Sequence, residues 1–446
     1  MKNITPLISK IITLAVFFLF ANSTIAASKE ITDSKNCDMS TFFKRTNTSY
    51  IIKYSHNISG KAITIPEGCK IIFKGGRITN GTIHLKNTSL EGTVKLTGCL
   101  LKGKLKNNYL RAAWICHKDG KKDDAKLINA AIDVCQHIIF DKGTYSLSST
   151  YKAPGNDRTI VEATKDNHIG INQSNVTLEG EKGAILLTKE EGKGIICIYS
   201  KPNDIKNSIK NITVKNITFQ TKKKNTIFHE QAHCIKVVGV NGLVISGCTI
   251  NNFYGDAICL GHFGDTPQTG ERARNMNVII KNNLIDGKDH NNRNGISIIN
   301  GQDVKIENNV IRRTSAKNMP GAIDIEPNNS AYTINNIYIT NNHITECNGG
   351  VGAIAIVANA KGGPAHNVFI SGNHIEKSRR GFFFQVKSNN TTSNIQVENN
   401  YVDKNTDPYI FDGEGTSHSW IFRGNTFQKT TRNKIGGKIN ISDLKK

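Results

Sequence analysis

From residue 211 onward one short phrase keeps returning. It reads VKNITF (214–219), ISGCTI (245–250), IKNNLI (280–285), IENNVI (306–311), ITNNHI (339–344), ISGNHI (370–375), VENNYV (397–402) and FRGNTF (422–427). The last apolar residue of each falls at Phe219, Ile250, Ile285, Ile311, Ile344, Ile375, Val402 and Phe427, at spacings of 25 to 35 residues. A repeat that keeps its phrase but not its length implies stacked coils with insertions on one side. A second run follows each phrase: CIKVV (234–238), AICLG (257–261), GISII (295–299), AIDIE (322–326), AIAIV (353–357) and FFFQV (382–386). These runs are short, β-branched, alternating, and bounded by Gly and Asn, which predicts strands rather than helices. One column of the repeat holds Asn283, Asn309, Asn342, Asn373, Asn400 and Asn425, and stacked amides there can each donate to the next.

The expected fold is all-β: a right-handed parallel β-helix, or solenoid. Residues 1–26 read as a signal peptide, 27–112 as a small N-terminal β module, 113–430 as the β-helix and 431–446 as a basic C-terminal tail. The module rests on the phrases AITIPEG, KIIFKGG, GTIHLKN and GTVKLTG between residues 61 and 106. Upstream of the repeat, Leu127, Ile128, Ala131, Ile132 and Cys135 fall at helical spacing. A short amphipathic helix there would cover the open end of the coil, which otherwise exposes an unpaired edge.

In the acidic turn, this helix and the GTY phrase after it (residues 119–147), the chain resembles the pectate lyase-like superfamily. The likeness spans about residues 113–428. It implies a carbohydrate-active β-helix protein, without choosing between hydrolase, lyase and epimerase. GDAICLG (255–261) is similar to the paired-Asp strand of polygalacturonase-like hydrolases, and RNGISI (293–298) to their His-containing strand. The chain departs from both, with Ala257 at the second Asp position and Asn294 at the His position.

The chain carries 58 Lys and Arg against 36 Asp and Glu, a formal charge of +22. Lys2 and Lys10, the apolar run 11–20 and the small residues up to Ala26 have the order of an export signal. Without that segment the charge is +20. The expected location is outside the cell or in the periplasm, with no membrane anchor. An exported cationic protein points to an acidic polysaccharide as partner rather than to nucleic acid. The ten cysteines show no CxxC pair, so mostly buried thiols are expected, with room for one bridge.

Taking Ile235, Ile258, Ile296, Ile323, Ile354 and Phe382 as inward, one outward column is Lys236, Cys259, Ser297, Asp324, Ala355 and Phe383. The next is Val238, Gly261, Ile299, Glu326, Val357 and Gln385. Asp324 and Glu326 share a face, as a general acid and its partner carboxylate require. Asp256 is a third carboxylate candidate. Lys236, His262, His290, Arg293, Arg379, Arg380, Gln385 and Lys387 are candidates for binding substrate, Arg being suited to grip carboxylates or sulfates. In a lyase, a Lys, an Arg, Tyr254 or His290 would serve as the base. No cofactor or metal is expected. Asp286 and Asp289 offer at most a calcium pair in a loop. HEQAH (229–233) matches a zinc-protease pattern, but its two His share a face only on a helix, and His233 leads into a strand. Three readings remain: a glycoside hydrolase acting on an acidic polysaccharide, a polysaccharide lyase, and a non-catalytic glycan-binding protein.

Overall fold

The structure is a computed structural model that describes residues 29–201, 208–221, 228–262, 274–288, 291–314, 319–332, 334–359, 362–386, 390–404, 407–413, 418–428 and 434–435. The signal-peptide segment and nearly all of the C-terminal tail lie outside these residues. The chain divides into two compact units: residues up to 95 with 103–106, and residues 96–102 with 107 onward.

The second unit is a right-handed parallel β-helix built from three sheets of eleven, eleven and ten strands. One coil illustrates the path. Asn275–Lys281 lies in the first sheet, Leu284–Asp286 in the second and Ile296–Ile298 in the third, and the chain then re-enters the first sheet at Gly301–Glu307. Every strand pairs in parallel with its counterpart one coil away. Ile258, Ile296, Ile323, Ile354 and Phe382 stand in one register column and are fully buried. Alternation in the sequence therefore becomes a continuous apolar interior.

The repeated phrase spans the turn from the first sheet to the second. Its first turn residue is left-handed in every coil: Asn216, Gly247, Asn282, Asn308, Asn341, Gly372, Asn399 and Gly424. Asn and Gly tolerate that conformation best. At Gly372 a side chain would also strike the Asn341 Oδ1 beneath it at 2.4 Å. The second turn residue carries the amide column. Asn309 Nδ2 donates to Ile280 O at 2.9 Å and to Asn342 Oδ1 at 3.0 Å, and the pattern continues from Asn283 to Asn425. The ladder thus satisfies carbonyls at a buried corner where no strand can reach them.

The helix expected at the open end spans Ala125–Val134 and buries Leu127, Ile128, Ala131 and Ile132. Its Asn129 donates to His168 O at 2.9 Å and accepts from Gly170 N at 3.0 Å. Those groups belong to Asn167–Ile171, the first strand of the third sheet. One side chain so replaces the missing neighbour strand.

The first unit is also built of parallel strands. Glu30–Thr32, Ser49–Ile52, Lys70–Phe73 and the end of Gly81–Gly92 pair in that order, with register partners about twenty residues apart. Ser55–Asn57 pairs with Arg77–Thr79, and Ala62–Thr64 with the start of Gly81–Gly92. Tyr50, Ile52, Ile71, Phe73, Ile78 and Leu90 fill its core. All ten cysteines are free thiols, nine of them buried, so the chain carries no bridge. No helix among the described residues is long and apolar enough to cross a membrane.

Candidate active site

The third sheet carries the candidate site on its outer side. Register places Lys236, Cys259, Ser297, Asp324, Ala355 and Phe383 in one column, in the order expected from alternation. The column is not open to solvent, however. Cys259, Ser297, Asp324 and Ala355 are all buried. Charges in such a place persist only if they are paired or neutralised.

Arg293 does the pairing. Its guanidinium donates from Nη1 to Asp256 Oδ2 at 3.2 Å and from Nη2 to Glu326 Oε2 at 3.0 Å. Asp324 Oδ2 lies 3.9 Å from Nη2, and Glu230 approaches Nε at 3.8 Å. Carboxylates from the coils on either side of Arg293, and Glu230 from one coil further back, thus converge on one cation. Asp256 and Arg293 precede their strands in the connections from the second sheet, and Glu326 follows its strand. The strands themselves are only three residues long, so these flanking residues come together.

His233 adds a second positive group, with Nδ1 3.1 Å from Asp256 Oδ2. Burial opposes its charge, but Cys259 and Asp256 beside it push its pKa up to about 9. Burial alone would raise Asp256 as well; Arg293 and His233 outweigh it and hold this carboxyl below the usual range. The backbone N–H of Asn294 donates to Asp256 Oδ1 at 3.1 Å.

Asp324 is different. Burial, and then the neighbouring charge of Glu326, raise its pKa well above the ordinary value, and Arg293 is too distant to offset them. Its Oδ2 accepts from Asn294 Nδ2 at 3.2 Å, while Oδ1 is buried without a partner. Glu326 is also raised, by burial first, but the direct bond from Arg293 counters this, and 21% of its side chain is exposed. Burial thus favours the neutral form of both neighbouring carboxyls, and more strongly for Asp324 than for Glu326, which Arg293 bonds directly. The arrangement can store a proton behind a carboxylate that has solvent access.

Other sequence candidates fall elsewhere. Lys236 is half-buried in register between Cys197 and Cys259. His262 Nδ1 bonds the Tyr332 hydroxyl at 2.7 Å, and the two rings lie 4.5 Å apart. Arg379 is exposed, Arg380 donates to Gly350 O, and Gln385 is half-buried in register with Val357. His290, Asp289 and Lys387 lie outside the described residues. Asp286 is committed to Arg312 at 3.0 Å and to Arg313, which leaves little for a calcium ion. No helix forms at 229–233. His229 packs edge-on against Tyr254 at 5.5 Å, while His233 turns to Asp256.

Sequence reasoning did not assign roles to His233, Asn294, Ser297 or Cys259. In the sequence Asn294 stands out only as a departure from a His. Here it links the carboxylates, by its backbone to Asp256 and by its side chain to Asp324, with a further bond to Ser297 Oγ at 2.8 Å. His233, Asp256 and Cys259 are also the one trio of metal-ligand type among the described residues, with donor atoms within 4.8 Å of one another. An ion there would sit beside Arg293, which already bonds Asp256 Oδ2. Side chains thus supply the positive charge that such a ligand set would otherwise want.

No family model and no curated protein sequence matches the chain. Solved structures with similar architecture include PfbA, a surface adhesin of Streptococcus pneumoniae, at 15% identity and TM-score 0.42, covering 72% of this chain and 91% of that one. The A-module of the Azotobacter vinelandii mannuronan C-5 epimerase AlgE6 follows at 14% and 0.39, covering 72% and 96%. A double mutant of the tailspike protein of E. coli bacteriophage HK620 is similar at 10% and 0.43, covering 96% of this chain and 63% of that one. These are parallel β-helix proteins, the class to which the sheets of this chain also assign it.

Proposed function

We propose that the protein is an exported glycoside hydrolase acting on an acidic polysaccharide. The observation that carries this reading is the Asp324–Glu326 pair: two neighbouring carboxyls that burial raises above their ordinary range, next to an arginine that bonds only Glu326. Environments that push two carboxyls apart in acidity are how a single site supplies both acid and base at neutral pH.

In this reading Glu326, the member with solvent access, passes a proton to the glycosidic oxygen as its bond to the anomeric carbon breaks. A water oxygen then bonds to that carbon, and the proton it sheds returns to the pair. Asp256 stays ionised and offsets Arg293 and His233, so the cluster does not accumulate positive charge beside an oxocarbenium-like centre. Turnover should fall as pH rises and the pair loses its proton.

The lyase alternative finds less support from two of its candidate bases, Arg293 and Tyr254, which are both held in their protonated forms. Arg293 is held in its charged form by carboxylates despite burial. Burial pushes the Tyr254 phenol up to about 12.

The test is a depolymerisation screen over acidic glycans, reading both new reducing ends and the ultraviolet absorbance of unsaturated uronides. Glu326→Gln is expected to lower turnover about 10²–10⁴-fold, the usual worth of a positioned acid–base group. Unchanged turnover in that variant removes the site assignment. Unsaturated products identify a lyase. Saturable binding without turnover of any polymer identifies a glycan-binding protein.

A further inference from the structure

The cationic excess of this chain is not concentrated around the carboxylates. Residues 29–95 and 103–106, the first unit, hold thirteen Lys and Arg against five Asp and Glu. That is +8 over 71 residues, whereas the 347 residues of the β-helix unit carry +12. Several acids of the first unit are also occupied. Asp33 is buried and accepts from Lys53 N, Tyr54 N and His56. Asp38 caps a helix start through Ser40, and Glu91 pairs with Lys70 at 2.9 Å.

Part of this charge is stacked. Ile52 and Phe73 are register partners, so Lys53 and Lys74, the next residues, leave neighbouring coils side by side. Arg77 is in register with Ser55, and Lys95 O accepts from Ile78 N at 3.0 Å on the next coil. All four cations are exposed, and no carboxylate pairs with them among the described residues. Coils about 4.8 Å apart repeat like charge along the solenoid axis, an unfavourable arrangement until an anionic chain lies over it.

Beside the ladder is a cavity of about 240 Å³ lined by Asp38, Ser40, Ser55, Asn57, Ser59 and Lys61, among others; Asp38 is turned to Ser40, which leaves hydroxyl and amide groups. Ser55 joins the two features, since its Oγ accepts from Arg77 Nε at 3.1 Å. Hydroxyl and amide groups of this kind match sugar hydroxyls. Tyr54 is the one large exposed aromatic in the unit, too few for stacking successive bases.

We infer that the first unit is a binding module for an anionic polysaccharide, with Lys53, Lys74, Arg77 and Lys95 gripping successive sulfate or carboxylate groups. The inference rests on the glycan reading above only for the kind of polymer. It does not involve the carboxylate cluster, so the two readings fail separately.

Full-length protein is titrated with dextran sulfate, polygalacturonate, neutral dextran, duplex DNA and phosphatidylserine vesicles over a range of NaCl concentrations. Two variants of equal charge are compared. One carries Lys53→Gln, Lys74→Gln, Arg77→Gln and Lys95→Gln. The other carries Lys126→Gln, Lys305→Gln, Lys377→Gln and Lys404→Gln, exposed sites of the β-helix unit. The first is expected to bind an acidic polysaccharide at least roughly tenfold more weakly, with a shallower salt dependence, because fewer counterions are released. The second is expected to bind like the parent. Equal loss in both variants, or none in either, overturns the inference. So does tighter binding to DNA or to vesicles than to both acidic glycans. If the first variant fails to fold, acetylation of the parent decides: dextran sulfate should shield Lys53, Lys74 and Lys95 from reagent. Unshielded lysines are the contrary result.

Discussion

The two units stack residues in register by the same geometry, yet they treat charge in opposite ways. In the β-helix unit Asp256, Arg293 and Asp324 are buried; Asp256 and Arg293 pair with each other, and burial raises the Asp324 carboxyl toward its neutral form. In the first unit Lys53, Lys74, Arg77 and Lys95 stand exposed with like charges alongside. The difference is one of solvent. Water screens neighbouring cations to a cost of a fraction of a kcal/mol. A buried ion without a partner costs several. Stacking therefore builds a closed cluster of carboxyls around one arginine where the column is covered and an open strip of cations where it is not.

The sharpest way to break this contrast is to remove the shared cation. Arg293→Ala leaves the buried Asp256 and the partly buried Glu326 without their shared cation and should cost about 3–5 kcal/mol in urea unfolding. Arg77→Ala, on the exposed ladder, should cost under about 0.5 kcal/mol. Similar losses at both positions would erase the distinction.

A second test concerns the uncharged ladder of the same unit. Asn342→Ala orphans two donors of Asn309, its backbone N–H and Nδ2, and should cost about 2–3 kcal/mol. Asn425→Ala, at the ladder's end, should cost less.

The smallest effects depend on pH. The Asp324 carboxyl is raised on folding, so its contribution is present at low pH and is lost as pH rises through the raised value. Asp324→Asn should therefore gain in melting temperature over the parent as pH goes from 4 to 8, by roughly 3 °C. His233 is raised to about 9, so its contribution is complete below about 6.5 and lost as pH climbs toward 9. His233→Gln should flatten that part of the stability profile. A parent whose stability is flat from pH 6.5 to 9 would contradict the charged His233–Asp256 pair.

Much of this architecture was legible in the residues. The IKNNLI-type phrases encode a strand, a left-handed turn residue, a ladder amide and a second strand. Each follows from local rules: alternation, the tolerance of Asn and Gly for positive φ, and the need to satisfy buried carbonyls. Ile128 and Ala131 announced the capping helix by their spacing. Asp324 and Glu326 could be expected on one face from alternation, although Glu326 lies one residue beyond the strand Ile323–Ile325.

The chemistry of the cluster was not legible in the same way. Arg293 was a candidate for gripping substrate, but its exposure and partners depend on connections whose lengths vary from coil to coil. His233 belonged to a motif that needs a helix, and a strand start redirected it to Asp256. Local sequence determined the coil, its register and its ladder, because those interactions recur between residues at matching positions of adjacent turns. Only the tertiary structure decided which column is buried and where Arg293 lies within it: burial raises the Asp324 carboxyl, while Arg293 and His233 hold Asp256 below the ordinary range.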